Sequence, residues 1–292
     1  MSGAHKWAKQ VYTATIPLYP VGYAIVQGFR GDQIWTRPYV DRSTEKASEG
    51  LKDLVESELD KMHLKKAKVR VELTEAIEPK VYGALYLTTG AELQFPMRLN
   101  LQDVEESRRL GANIEMDLGL SKHRKKIEVN SDVGDELISR LMLSDAAKMF
   151  LVRRQLTVAN SGDTFCAPII GWMTISAAGT FAFDAIAMAL NPWVACGVTV
   201  CLASAAYRQF MKHYRSYSTI NVDKEVVSLG KDYLIGARDY FESSMKLNRY
   251  LRRILGEEWL QNISKNGDCN LDVVPYSVRL RNIEKASKER SQ

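Results

Sequence analysis

The chain has 292 residues, of which 46% are hydrophobic and 26% are charged, and its 40 Lys/Arg against 35 Asp/Glu leave a net charge of +5. This is enough apolar material for a folded core, and it excludes a disordered tail, a collagen-like repeat and a small disulfide scaffold. The positive charge is mild, whereas nucleic-acid-binding domains concentrate basic residues on one face, so we expect no nucleic-acid partner.

Residues 1–42 are predicted to form an import-related segment close to the membrane. The stretch 11–29 is uncharged and flanked by basic residues, which makes it a possible membrane span, although Pro17 lies inside it. No acidic residue precedes Asp32, a feature typical of mitochondrial import signals. The sequence leaves open whether residues 11–29 span the membrane or are cleaved.

Residues 43–163 are predicted to form an α+β region on the matrix side. Leucine and valine residues recur at helical spacing between Ser43 and His63, with Ser43 as a possible cap. Alternating segments at Lys68–Leu73, Val81–Thr88 and Glu92–Leu99 predict a small antiparallel sheet.

The segment from Asp132 to Asn160 predicts one or two helices that lead into the membrane. A boundary is expected at Ser144, because Asp145 would then lie in the first turn of the second helix.

Residues 164–207 predict a transmembrane helical hairpin. The only charged residue in this stretch is Asp184, and Asn191-Pro192 interrupts it once. A span needs about 20 apolar residues, so the two spans are placed at about 164–183 and 193–207. The alternative is a pair of buried helices in a soluble core, but such helices rarely run this long without charge.

Small residues recur at four-residue spacing on both predicted spans and form a candidate helix-packing stripe, because small side chains let helix backbones approach in lipid. Its members are Gly197, Cys201 and Ala205 on the second span and Ala167 and Gly171 on the first.

Basic residues flank the hairpin on both sides, and its tip contains none. The topology-setting flanks are Lys148, Arg153, Arg154, Arg208, Lys212 and Arg215. The positive-inside rule places both flanks, and with them the bulk of the chain, on the matrix or cytosolic side.

Residues 208–292 predict a helical carboxyl-terminal region that packs with residues 43–163, and its clearest helical stretch runs from Val222 to Ile263. The expected fold is therefore an α+β membrane protein, mostly helical, with a small antiparallel sheet in the amino-terminal half and a membrane hairpin before the helical half.

The carboxyl half contains the run Asp239-Tyr240-Phe241-Glu242, followed by Asn248, Leu251-Arg252 and Leu255-Gly256. With these residues at these intervals, it resembles the transmembrane protein 177 family of the mitochondrial inner membrane. The resemblance covers about residues 81–283 and implies a non-enzymatic assembly factor for cytochrome c oxidase. Its implied partners are newly made oxidase subunit II and the chaperone that stabilises that subunit.

A more distant resemblance in layout is to membrane-embedded zinc peptidases, which carry H-E-x-x-H on the helix that enters the membrane. This chain has Arg154-Gln155-Leu156-Thr157-Val158 at that register, and Asp223 alone lies near the position of the third ligand. Any such scaffold would be a degenerate, inactive one.

No nucleotide-binding or nucleophile motif is present, and no cofactor or metal is expected, so we predict that the protein is not an enzyme. The alternatives are a membrane-bound hydrolase with an unrecognised site and a lipid-binding scaffold. The basic run Lys122–Lys126 would matter most for lipid contact. The sequence does not predict the oligomeric state or the residues that contact partners.

Overall fold

A computed structural model describes residues 3–28, 46–64, 69–74, 78–105, 107–108, 131–255, 262–270 and 272–290. Helices dominate these ranges, as predicted. They are α1 (Gly3–Thr15), α2 (Leu18–Gly28), α3 (Glu49–Lys61), α4 (Met97–Asn100), α5 (Asp132–Leu141), α6 (Asp145–Ser161), α7 (Asp163–Ala189), α8 (Pro192–Val227), α9 (Lys231–Leu255) and α10 (Tyr276–Arg290). The basic run Lys122–Lys126 lies outside the described residues.

Serine caps set the starts of three helices of the domain. Ser144 accepts a hydrogen bond from the amide of Ala147, so α6 begins at the boundary predicted there. Ser131 caps α5 in the same way. Helix α3 begins later than predicted, because Ser48 caps it through the amide of Leu51; the predicted cap Ser43 lies outside the described residues.

A three-stranded sheet forms from β1 (Val69–Thr74), β2 (Lys80–Gly83) and β3 (Ala91–Pro96), in the order β1-β3-β2. The strands were predicted, but the all-antiparallel arrangement was wrong. Strand β2 pairs antiparallel with β3, whereas β1 pairs parallel with β3. The direction was missed because the alternation of side chains along a strand is the same in parallel and antiparallel pairs. Strand β3 is flanked by a strand on each side, and all of its residues are buried.

Helix α6 lies at the centre of the domain and packs against α9. Phe150 and Leu151 are fully buried, and the Phe150 ring lies edge-on to Phe241. The two helices approach closely at Gly236, where an added Cβ would lie 2.0 Å from the carbonyl oxygen of Ala146.

Helices α7 and α8 form the predicted hairpin, and both are long and apolar enough to cross a membrane. Only 17% of the most apolar window of α7 and 28% of that of α8 are buried within the protein, so most of both surfaces faces outward. The turn is fixed by Asn191, whose side chain accepts a hydrogen bond from the amide of Trp193. Helix α8 continues well past the predicted span, into the domain.

The helices α1 and α2 run alongside the hairpin, antiparallel to α7. Tyr12 donates a hydrogen bond to the carbonyl of Ser176, the Trp172 indole donates to the carbonyl of Ile16, and Tyr23 donates to the carbonyl of Thr164. Within the described part of the segment predicted to span at 11–29, residues 11–28, the chain is helical but broken at residues 16–17.

Candidate functional site

The predicted small-residue stripe divides between two surfaces. Gly171 is buried, and an added Cβ there would lie 2.4 Å from the Phe210 ring; Ala167 is half-buried. Gly197, Cys201 and Ala205 are exposed on the outer surface of α8, and an added Cβ at Gly197 would meet nothing within 4 Å. We call these three residues the outer stripe.

A second set of small residues, which the sequence reasoning missed, makes the contact within the protein. Ala195, Thr199 and Ala203 are buried on the opposite side of α8. Ala195 packs with Ala8 and Phe183, and the Thr199 methyl group lies against Gly179 of α7. Both stripes have four-residue spacing, so spacing alone could not tell the inner from the outer one.

The basic residues before the hairpin make their contacts within the domain. Lys148 donates to the carbonyl of Leu101 at 2.8 Å, and Arg153 donates to the carbonyl of Glu58 at 3.3 Å. Arg154 is 8% exposed.

The basic residues after the hairpin, Arg208, Lys212 and Arg215, are exposed along α8. Of the six predicted flank residues, these three are therefore the ones exposed near the base of the hairpin.

A buried ion cluster joins α6, α8 and α10 beneath the hairpin. The Asp223 carboxylate is 1% exposed and accepts hydrogen bonds at 2.7 Å from Nε of Arg154 and at 2.7 Å from Nε of Arg279. The Arg279 guanidinium also lies 4.5 Å from the centroid of the Phe241 ring. Each charge is thus paired, as burial of charge requires.

Beside this cluster, a cavity of about 590 Å³ lies where the hairpin base meets the domain. Its lining comes from the end of α2, the start of β2, the carboxyl half of α6, the first turns of α7, the middle of α8 and the segment before α10. The polar side chains of this lining include those of Gln27, Glu78, Gln155, Thr164, Arg215 and Asp272.

Asp272 is the most perturbed carboxyl group of this cavity. Its pKa is raised to about 7, mainly by burial and also by the nearby charges of Glu78 and Asp268, while Arg279 acts in the opposite direction. Its carboxyl oxygen Oδ2 is buried and makes no hydrogen bond within the described residues.

Replacing Asp272 by asparagine should change how stability depends on pH. A carboxyl group whose pKa is higher in the folded than in the unfolded state binds more protons when folded, so the free energy of unfolding falls as the pH rises from about 4 to 7. Asp272→Asn should remove this fall and gain about 2–4 kcal/mol above pH 7. Melting temperatures at pH 5 to 8 test this.

The matched control for this experiment is Asp53→Asn, at an exposed position of α3. It should keep the wild-type slope; an unchanged slope in Asp272→Asn would show that Asp272 does not titrate as described.

The described residues contain no candidate metal site, because no three His, Cys, Asp or Glu side chains among them lie close enough together to hold an ion. The two positions singled out by the peptidase register, 154 and 223, do meet, but as an ion pair at 2.7 Å.

Comparison with known proteins gives a match over nearly the whole chain. The family model described as transmembrane protein 177 matches residues 4–292. An uncharacterized protein of Caenorhabditis elegans is 22% identical over 295 residues, covering 94% of this chain and 87% of its own length. No solved structure matches. The zinc-peptidase-like scaffold is therefore unsupported, and the arginine at position 154 serves to neutralise Asp223.

Proposed function

This chain belongs to the transmembrane protein 177 family, and from that premise we propose that it is a non-enzymatic assembly factor for cytochrome c oxidase in the mitochondrial inner membrane. It binds newly made subunit II and the assembly chaperone of that subunit. The resemblance that implies this role covers about residues 81–283, and the family model matches residues 4–292.

The outer stripe is the observation that carries the proposal. Its three residues are exposed on α8, whereas the inner stripe already satisfies the packing of α8 against α1 and α7. In lipid, association between helices depends on close backbone approach, and small residues allow it. A membrane span of a client can therefore pack on α8 without displacing any helix of this protein.

The charges support a matrix-side domain. Arg208, Lys212 and Arg215 are exposed below the hairpin, residues 164–207 contain no Lys or Arg, and Lys9 near the other end is paired with Asp184. By the positive-inside rule this charge distribution favours an α+β domain in the matrix, where a hydrophilic segment of the client is within its reach.

Substitution of the outer stripe should weaken client binding. We expect Gly197→Leu/Ala205→Leu to reduce recovery of oxidase subunit II about tenfold, because two leucines hold the partner helix away. The measurement is affinity purification of the tagged protein from gently solubilised mitochondria, followed by quantitative mass spectrometry.

The matched control is Ala177→Leu/Ala185→Leu, which places two leucines at the same eight-residue spacing on exposed positions of α7. Equal recovery with both double variants would exclude the outer stripe as the contact. If the wild-type protein recovered neither subunit II nor its chaperone, the oxidase role itself would be wrong.

A further inference from the structure

Several buried polar atoms that line the cavity at the hairpin base lack a partner. The Gln155 side chain is 2% exposed, and its Nε2 makes no hydrogen bond within the described residues. The same holds for Oε1 of Gln27, Oγ1 of Thr164 and Oδ2 of Asp272. Buried polar groups are nearly always satisfied, so four such atoms around one cavity indicate a polar ligand.

Several other polar groups of the lining are already paired. Arg154 and Arg279 are bound to Asp223, and Ser218 donates to Asp163. Arg215 is exposed at the edge of the cavity and makes no hydrogen bond or ion pair with a described residue.

The unused groups fall into two kinds. Gln155 Nε2 and the Arg215 guanidinium are hydrogen-bond donors that require an acceptor, preferably an anionic one. Gln27 Oε1 and Asp272 Oδ2 are acceptors that require a donor, while the Thr164 hydroxyl can serve either kind. A simple anion would leave the acceptors unpaired, and a simple cation would leave the donors unpaired. Ordered water could pair these atoms one by one, whereas a single ligand that pairs them all carries both an acceptor group, such as a phosphate, and N–H donors.

The cavity lies at the depth of lipid headgroups. Thr164 is in the first turn of the first span, and Arg215 follows the apolar part of α8. Just beyond it, the rings of Tyr19, Trp172 and Tyr207 contact one another at centroid distances of 5.2 to 5.4 Å. Tyrosine and tryptophan concentrate at the level of the headgroups, so this aromatic cluster marks the membrane interface.

We propose that this cavity binds the headgroup of phosphatidylethanolamine. The phosphate accepts hydrogen bonds from Gln155 and Arg215, and the primary ammonium donates to Asp272 and Gln27. Val158, Pro168 and Met211, which also line the cavity, contact the glycerol and the first acyl carbons. This site is on a different surface from the outer stripe, and it does not depend on the proposed oxidase role.

Lipid exchange on the purified full-length protein tests the assignment. The protein is delipidated in detergent, and its affinity is measured by native mass spectrometry for phosphatidylethanolamine, phosphatidylcholine and phosphatidylglycerol with identical acyl chains. We expect phosphatidylethanolamine to bind about tenfold more tightly than phosphatidylcholine, which keeps both charges but has no N–H donor. Equal affinity for the three lipids would overturn the proposal.

Soluble phosphoethanolamine separates a lipid from a free metabolite. It carries the same polar groups without acyl chains, so we expect it to displace the lipid only at far higher concentration. Displacement at equal concentration would overturn the lipid assignment and identify a soluble phosphate ester as the ligand.

Gln155→Leu distinguishes a binding role from a structural one. It removes the unpaired buried amide, so the melting temperature without lipid should stay equal or rise, while affinity for phosphatidylethanolamine falls about tenfold. Asp272→Asn should lower that affinity without lowering stability. Gln94→Leu, at a buried glutamine of β3 outside the cavity, is the control and should bind lipid as the wild type does.

Two results with these variants would count against the site. One is unchanged lipid affinity in both Gln155→Leu and Asp272→Asn. The other is an affinity loss that occurs equally in Gln94→Leu, since that would show a general effect of altering the domain.

Discussion

Asp223→Ala is expected to lower the melting temperature of the protein by about 5–10 °C, corresponding to about 3–5 kcal/mol. The substitution leaves the guanidinium groups of Arg154 and Arg279 buried without their shared carboxylate. Glu78 lies 3.9 Å from Arg279 and does not contact Arg154, so it cannot replace Asp223. Thermal unfolding in detergent, followed by circular dichroism or intrinsic fluorescence, measures the effect.

Two further variants distinguish the loss of stability caused by an unpaired buried charge from the loss caused by removing a side chain. The triple variant Arg154→Met/Asp223→Leu/Arg279→Met replaces all three charges by apolar side chains, and we expect it to recover most of the lost stability. Glu284 is on the same helix as Arg279, and its exposed carboxylate lies 3.9 Å from Arg238 of α9. Glu284→Ala removes this carboxylate and should leave the melting temperature unchanged. A triple variant as unstable as Asp223→Ala would show that these charges do more than neutralise each other.

Gly179→Leu is expected to detach α1 from the hairpin. An added Cβ at position 179 would lie 2.1 Å from the Tyr12 hydroxyl oxygen, which is held in place by its hydrogen bond to the Ser176 carbonyl. Because this part of α1 is packed between the two spans, the clash cannot be relieved by a rotamer change alone. We expect a loss of about 1–3 kcal/mol in stability.

The position of α1 can be measured directly with a cysteine probe. In a background without native cysteines, a cysteine at Ala8, which is fully buried, should react with maleimide slowly, and Gly179→Leu should make it reactive. Gly197→Leu is the matched control, because an added Cβ at position 197 meets no atom of this protein within 4 Å. Slow labelling in Gly179→Leu would show that α1 stays docked.

Local signals in the chain predicted the start of α6 and the turn between α7 and α8, but not the break at residues 228–230 within the helical stretch predicted from Val222 to Ile263. Ser144 with Asp145, and Asn191 with Pro192, are capping and breaking signals that act within one turn, so they can be recognised without knowing the fold. The sheet was predicted as strands but not as a mixed sheet, since strand direction depends on how distant segments are connected.

The candidate sites were harder to predict. In the sequence, Arg154 and Asp223 stand out only as positions in a peptidase register, and no local signal points to Arg279, which completes the ion cluster. Gln155 was part of the same run, but nothing in its sequence context indicates that its amide would be buried without a partner. Such information depends on the packing of α6 against helices that are far away in the chain.

The sequence by itself determined the two helices that are candidates to cross a membrane, because a long apolar stretch with a single charge, Asp184, is recognisable without knowledge of the fold. It also determined the family, through residues spread over the whole chain. Only the tertiary structure decided which small-residue stripe faces outward, which arginines are buried and how α1 and α2 lie along the spans. These features depend on contacts between residues distant in sequence, and the spacing of residues along one helix is the same for a buried and an exposed face.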